Sequence, residues 1–277
     1  MQHMQATFVA TGGMHLFTQW WLPEGKLRAV LALVHGVGEH CGRYPKLVGP
    51  LTGAGIGVYA YDQRGFGRSP GQRGHIDAWE EYRGDLGAFL EWIKKAQSGV
   101  PIFLYGHSMG ALVALDYLIH ERNVLQGAVI SGAPIQPVGV AKPLLVLVAK
   151  ALSKVWPRFP IDVGLEVAAL SRDPAVVKAY DDDPLVTGRV SARWGTEAMR
   201  ALDEVRANPE KLRLPLLFVH GEDDRLNSAE GVRQYFEAIP YEDKELKVYP
   251  GSFHEVHNDL DCVQEEVDIR AWIERHV

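Results

Sequence analysis

The sequence predicts an α/β protein: a mostly parallel, eight-stranded sheet with helices on both faces, interrupted once by a helical insertion. Three observations predict it. Short apolar runs rich in Val, Leu, Phe and Tyr recur between longer amphipathic stretches, the pattern of strands and helices in alternation. That alternation is regular except between about Gln136 and Gly195, where Pro, Trp and short helical patterns replace any convincing strand. At 277 residues and 47% hydrophobic, the chain can bury a sizeable core in one α/β domain with an insertion.

Taken in order, Ala6 to Ala10 and Leu16 to Trp21 flank Gly12-Gly13, as a hairpin requires. Strands are expected at Ala29 to His35 and Gly57 to Asp62, followed by a helix over Ala78 to Gln97. Next come a strand at Pro101 to Tyr105, a helix at Met109 to Glu121 and a strand at Gly127 to Ser131. After the insertion the pattern resumes with a strand at Leu216 to His220, a helix at Ala229 to Ala238, a strand at Glu245 to Tyr249 and a helix at Cys262 to His276. Each helix follows a Ser, Asp or turn signal. Residues 1–135 and 196–277 are therefore expected to form the core domain, and 136–195 a helical cap inserted after the sixth strand.

Composition excludes several classes of function. With 35 acidic against 29 basic residues and a formal charge of −6, there is no basic excess to favour nucleic acid. Two cysteines, Cys41 and Cys262, far apart in sequence, argue against a disulfide framework or a cysteine-based zinc site and suit a reducing compartment. The stretch Met1 to Gly13 lacks a charged region followed by an apolar run, so no export signal is read there. Leu144 to Ala149, an apolar run that no other exceeds, falls far short of the roughly 20 residues that cross a bilayer. A cytoplasmic location follows as an expectation. No obligate protein partner is evident.

The chemistry begins at Gly106-His107-Ser108-Met109-Gly110, which matches G-x-S-x-G between an apolar strand and a helix. A strand that turns so sharply into a helix strains the serine backbone and pushes the Ser108 hydroxyl above the carboxyl edge of the sheet. The flanking glycines remove side chains that would clash there.

A serine hydroxyl needs a base, and with this motif the acid and then the histidine should follow in chain order. After the strand ending at His220 come Glu222, Asp223 and Asp224; Asp224 lies past the tight turn, where its side chain can reach back over the sheet edge, with Asp223 the alternative. His254 directly follows the last predicted strand and is read as the base, whereas His257 lies three residues further along. His35 is expected to shape a turn with Gly36, and His107 to pack at the elbow. None of the eleven histidines has metal-ligand spacing with carboxylates or cysteines, and no cofactor is expected.

Acyl transfer builds negative charge on a carbonyl oxygen, which two backbone N–H groups should face. One is the amide after the nucleophile, Met109. The loop after the third strand, His35-Gly36-Val37-Gly38, supplies the other, assigned to Val37.

With these residues in hand, the chain resembles the monoacylglycerol lipases of the α/β-hydrolase superfamily through almost its whole length. The matching pieces are His35-Gly36-Val37-Gly38-Glu39-His40 with Gly42-Arg43-Tyr44, Asp62-Gln63-Arg64-Gly65-Phe66-Gly67-Arg68-Ser69, and the serine elbow. Asp183-Pro184-Leu185, Gly221-Glu222-Asp223-Asp224-Arg225-Leu226 and Phe253-His254-Glu255-Val256-His257 continue the match in order. The family pattern also favours Asp224 as the acid. The resemblance implies a cap over an apolar acyl tunnel, a small polar pocket for glycerol, and monoacylglycerols as substrates cleaved to glycerol and free fatty acid. Glu39, Arg43, Tyr180 and His257 match its glycerol-side positions, with a structural ion pair between Arg43 and Glu39 at the loop as the alternative reading of those two.

Between Val140 and Trp156, Lys142, Lys150 and Lys154 fall within a roughly 120 degree arc of a helix, leaving Leu144, Leu145, Leu147, Val148 and Leu152 over the rest. Such a helix suits packing on the core and lining an acyl pocket, and also transient contact with lipid aggregates or a membrane surface. The alternative enzyme is a carboxylesterase or thioesterase of medium-chain acyl substrates without glycerol recognition. Loss of catalysis in favour of ligand binding would require a broken triad, and none of its members is missing.

Overall fold

The computed structural model describes residues 1–121, 125–138 and 143–277, with 143–148 described as helical backbone alone. The chain runs through β1 (Gln2–Val9), β2 (His15–Leu22), β3 (Ala29–Val34), α1 (Pro45–Gly53), β4 (Ile56–Tyr61), α2 (Glu80–Ala96), β5 (Ile102–His107), α3 (Met109–His120) and β6 (Gly127–Ser131). There follow α4 (Pro143–Val155), β7 (Pro160–Asp162), α5 (Pro174–Asp181), β8 (Arg189–Ser191), α6 (Ala192–Ala207), β9 (Leu216–Gly221), α7 (Ala229–Ala238), β10 (Lys244–Tyr249) and α8 (Cys262–Arg275).

Eight strands form one sheet in the order β1-β2-β4-β3-β5-β6-β9-β10. The β1–β2 hairpin and the β2–β4 pairing are antiparallel; β4, β3, β5, β6, β9 and β10 are mutually parallel. This is the architecture the apolar periodicity predicts.

Every residue of β3 is buried, and its alternation explains the two-sided core. Val30, Ala32 and Val34 point into one apolar layer, with Leu86 and Phe89 of α2 and much of α3. Ala29, Leu31 and Leu33 point into the other, with Leu47, Val48 and Leu51 of α1 and Ile269, Trp272 and Ile273 of α8. Such strands carry near-continuous apolar runs because both faces are covered.

Three features differ from the sequence expectation. Helix α6, absent from the expected helices, runs from Ala192 to Ala207 and so passes through the boundary expected between residues 195 and 196. Helix α1 contains Gly49, Pro50 and Gly53, all poor helix formers, so its helical state is decided by packing of Leu47, Val48 and Leu51 rather than by propensity. Within the stretch expected to lack strands, β7 and β8 pair antiparallel from Pro160↔Ser191 to Asp162↔Arg189. Three residues each are too few to display an alternating pattern. The helix face read from Lys142, Leu144, Leu145, Leu147 and Val148 lies outside the described residues and side chains. No helix among the described residues is long and apolar enough to cross a membrane.

Local caps fix the elements around the insertion. Asp173 accepts a hydrogen bond from the Ala175 amide with Pro174 at the first position of α5, and Ser191 accepts one from the Trp194 amide at the start of α6.

Candidate active site

The loops that leave the carboxyl ends of β3, β5, β9 and β10 converge on one edge of the sheet, where ligands bind in open α/β folds. Between β5 and α3, Ser108 adopts φ 54° and ψ −118°, the only non-glycine residue with positive φ among those described. Its amide donates to the Ser131 carbonyl at 2.9 Å and its carbonyl accepts from Ala111, so β6 and α3 hold the strained turn from both sides. The glycines are needed for close approach. A Cβ on Gly110 would lie 2.1 Å from the Val34 carbonyl oxygen, and one on Gly106 would lie 2.4 Å from that of Gly110.

Past β9, the Asp224 carboxylate turns back over the edge. Its Oδ1 accepts from the Leu226 and Asn227 amides at 2.8 and 3.0 Å, which leaves Oδ2 for the ring of His254 at 2.8 Å. Asp223 is exposed and takes no part. His220, at the end of β9, sits 3.3 Å from the same Oδ2, and Burial lowers its pKa below the ordinary histidine value. Burial also works against a charged His254, yet the bonded Asp224 carboxylate outweighs it, so the His254 pKa lies above the ordinary histidine value. Burial raises the Asp224 pKa less than the two imidazoles lower it, so the carboxylate is ionised.

Ser108 and His254 line one cavity, with Gly36 and Val37 from the loop after β3 and with Leu165, Leu170 and Tyr180 from the segment between β7 and β8. Among the described residues no hydrogen bond joins the Ser108 hydroxyl to His254; the two side chains meet across the cavity they both line. Val37 lines this cavity, and Met109 occupies the first turn of α3, whose N–H groups have no intrahelical acceptor. A Cβ at Gly36 would lie 3.3 Å from that of Ser108, so the absence of a side chain there lets this loop approach the nucleophile. A larger open groove of about 610 Å³ beside α5, lined by Ser171, Arg172, Lys178, Asp181, Asp182 and Phe253 among others, contains neither Ser108 nor His254.

The four residues expected on the alcohol side occupy two environments. Glu39 and Tyr180 line the cavity; Arg43 and His257 stand behind it. Arg43 is clamped by two buried carboxylates, donating to Glu39 Oε2 at 2.7 Å and to both oxygens of Glu255 at 2.7 and 2.9 Å, with its guanidinium 4.6 Å from the centre of the Tyr180 ring. His257 stacks on Tyr44 at 4.5 Å and its edge meets His107 at 4.7 Å, which in turn lies 4.8 Å from His254. Burial, reinforced by neighbouring imidazoles and, for His257, by Arg43, pushes the pKa of His107 and His257 well below the ordinary value. Both rings are therefore neutral. His35 is a structural residue as expected, accepting from the Gln63 amide at Nε2 and donating from Nδ1 to the Gly36 carbonyl.

Sequence reasoning missed Glu255 and Tyr44. Glu255 follows the proposed base directly, and its position in that run was the available signal. Tyr44 donates to Glu39 Oε1 at 2.7 Å, an interaction no spacing rule announces. Asp116, His120 and Glu204 also come within 4.8 Å of one another, but Arg83 at 3.5 Å from Asp116 and Arg200 at 3.7 Å from Glu204 already balance the carboxylates.

The arrangement supplies an alcohol nucleophile, an imidazole oriented by an ionised carboxylate, and a glycine-lined loop beside them, which together suit acyl transfer. Comparison with known proteins agrees. The sequence profile of the family described as serine aminopeptidase, S33, matches residues 25–261. The monoacylglycerol lipase of Mycolicibacterium smegmatis is 35% identical over 272 residues, covering 98% of this chain and 97% of that one. The crystal structure of the monoacylglycerol lipase of Paleococcus ferrophilus superposes with a TM-score of 0.84 at 32% identity, covering 100% of both chains. A soluble variant of the monoglyceride lipase of Saccharomyces cerevisiae, solved in complex with a substrate analog, superposes with a TM-score of 0.87 at 28% identity over 98% of this chain and 94% of that one.

Proposed function

This chain belongs to the serine aminopeptidase S33 family of α/β-hydrolases, together with the monoacylglycerol lipases, and on that premise we propose that it hydrolyses monoacylglycerols to glycerol and fatty acid through an acyl-enzyme on Ser108. The single observation that carries the reading is His254, hydrogen-bonded to Asp224, sharing a cavity with a strained Ser108.

In this account the Ser108 hydroxyl attacks the ester carbonyl while His254 Nε2 takes its proton. The Nδ1–H of His254 donates to Asp224, which fixes the tautomer and stabilises the imidazolium. The Val37 and Met109 amides face the oxyanion. His254 then protonates the departing glycerol oxygen, and water repeats the sequence on the acyl-enzyme. The residues present perform every proton transfer, so the step needs no cofactor.

A pH dependence follows. The base must be neutral, and its pKa is raised by Asp224. As pH falls through that raised value, His254 becomes protonated and kcat/KM falls; the acid limb is expected above the ordinary histidine value of about 6.5. A profile flat down to pH 4 would remove His254 from the role.

Residues 136–195 act in this reading as a cap over the acyl chain, the apolar Leu165 and Leu170 meeting it near Ser108. The end of α4 supports lipid contact: Val155 is 86% and Trp156 59% exposed, beside exposed Lys150 and Lys154. A tryptophan and a valine flanked by lysines suit an interfacial surface, consistent with a cytoplasmic protein that meets membranes peripherally.

Rates of mono-, di- and triacylglycerols of matched acyl length test the substrate class. Strong preference for the monoacyl ester is expected. Comparable turnover of simple alkyl esters with none of glycerides would replace the reading with that of a general carboxylesterase or thioesterase.

A further inference from the structure

One guanidinium faces two carboxylates beside the reacting groups. Arg43, Glu39 and Glu255 are all buried, with side-chain exposures of 9%, 3% and 2%. The remaining lone pairs are met by neutral donors: the Gly36 amide at 2.6 Å and the Tyr44 hydroxyl at 2.7 Å on Glu39, and the Asn258 amide at 2.9 Å on Glu255. Lys46 points elsewhere, to Asp173 and the Asn258 carbonyl. His107 and His257 are neutral. The triplet therefore carries one uncompensated negative charge, and both carboxylates line the cavity while the arginine stands behind them.

We propose that Glu255 is a specificity-determining residue: with Glu39 it makes the alcohol side of the cavity net negative, so that the enzyme accepts acyl esters of uncharged glycerol and rejects those whose alcohol part carries a phosphate or another anion. This deepens the proposed function and rests on it. An anionic head group would enter a site whose buried guanidinium, Arg43, already donates to two carboxylates. Discrimination of this kind comes from a repulsive charge that the correct substrate never meets.

The same charge acts on His254. Glu255 and Glu39 add to Asp224 in favouring the imidazolium, while His107 and Arg43 face the same group of side chains from the elbow and the loop. Burial disfavours the charged form of Glu255, yet bonded Arg43 outweighs it and holds the carboxyl below its ordinary value, so the charge is present throughout the working range.

The test measures kcat/KM for a 1-acylglycerol and for the 1-acylglycerol 3-phosphate of the same chain length in the wild type, in Glu255→Gln and in Glu39→Gln. Each variant brings the triplet to neutrality from a different side of Arg43, so one remains informative if the other fails to fold. The wild type is expected to favour the neutral ester, and each variant to narrow the ratio by about tenfold or more, since one charge about 4 Å away is worth roughly fivefold even at the dielectric of bulk water and more in a partly buried cavity. The acid limb of the pH profile should also move to lower pH in both, which loss of a merely structural contact would not produce. A folded variant that cleaves the 1-acylglycerol with an unchanged ratio and an unchanged acid limb overturns the inference and leaves the proposed function standing. A wild type that cleaves neither glyceride while cleaving simple esters overturns both.

Discussion

Ser108→Ala is expected to lower turnover of a monoacylglycerol by about 10⁴- to 10⁶-fold, leaving only what binding and the oxyanion donors supply. The hydroxyl alone is removed. The backbone at φ 54° is held by the Ser131 carbonyl and by the start of α3, so the variant should fold and melt like the wild type. Circular dichroism against temperature separates the two effects. Substantial esterase activity in a folded Ser108→Ala protein would mean that the nucleophile lies elsewhere.

Asp224→Asn is expected to cost about 10⁴-fold in kcat through the histidine rather than through the fold. An asparagine can still accept from the Leu226 and Asn227 amides at Oδ1, so the turn after β9 survives. Its amide would then donate toward His254 Nδ1, which favours the wrong tautomer and leaves Nε2 carrying the proton. The negative charge that raises the His254 pKa disappears as well, so the residual activity should show an acid limb at lower pH than the wild type. Asp223→Asn provides the control. That side chain is exposed one residue away, and its replacement should leave both rate and profile unchanged.

What the sequence revealed, and what it did not, divides along physical lines. The buried strands carry continuous apolar runs because both faces are covered, so β3 to β6 and β9 are readable from composition alone. The strained serine announces itself because few residues fit a strand that turns at once into a helix, and the glycines beside it cannot carry a Cβ. Choosing Asp224 over Asp223 needed the geometry of a turn, and the structure places Asp224 rather than its neighbour against His254. Helix α1 and the short β7–β8 pair were illegible for the opposite reason: their own residues favour other states or are too few, and tertiary contacts decide them. Within the Glu39–Arg43–Glu255 triplet the Glu39–Arg43 pair, four residues apart, was legible, whereas Glu255 lay hidden because 212 residues separate it from Arg43 and charge pairing is visible in sequence only at short range.

The most direct test of the central claim is to label the protein with one equivalent of a long-chain alkyl fluorophosphonate, locate the adduct by peptide mass, and follow monoacylglycerol hydrolysis in the same sample. The account predicts a single adduct on Ser108 and activity lost in proportion to labelling. An adduct on another residue, or undiminished hydrolysis in fully labelled protein, would contradict it.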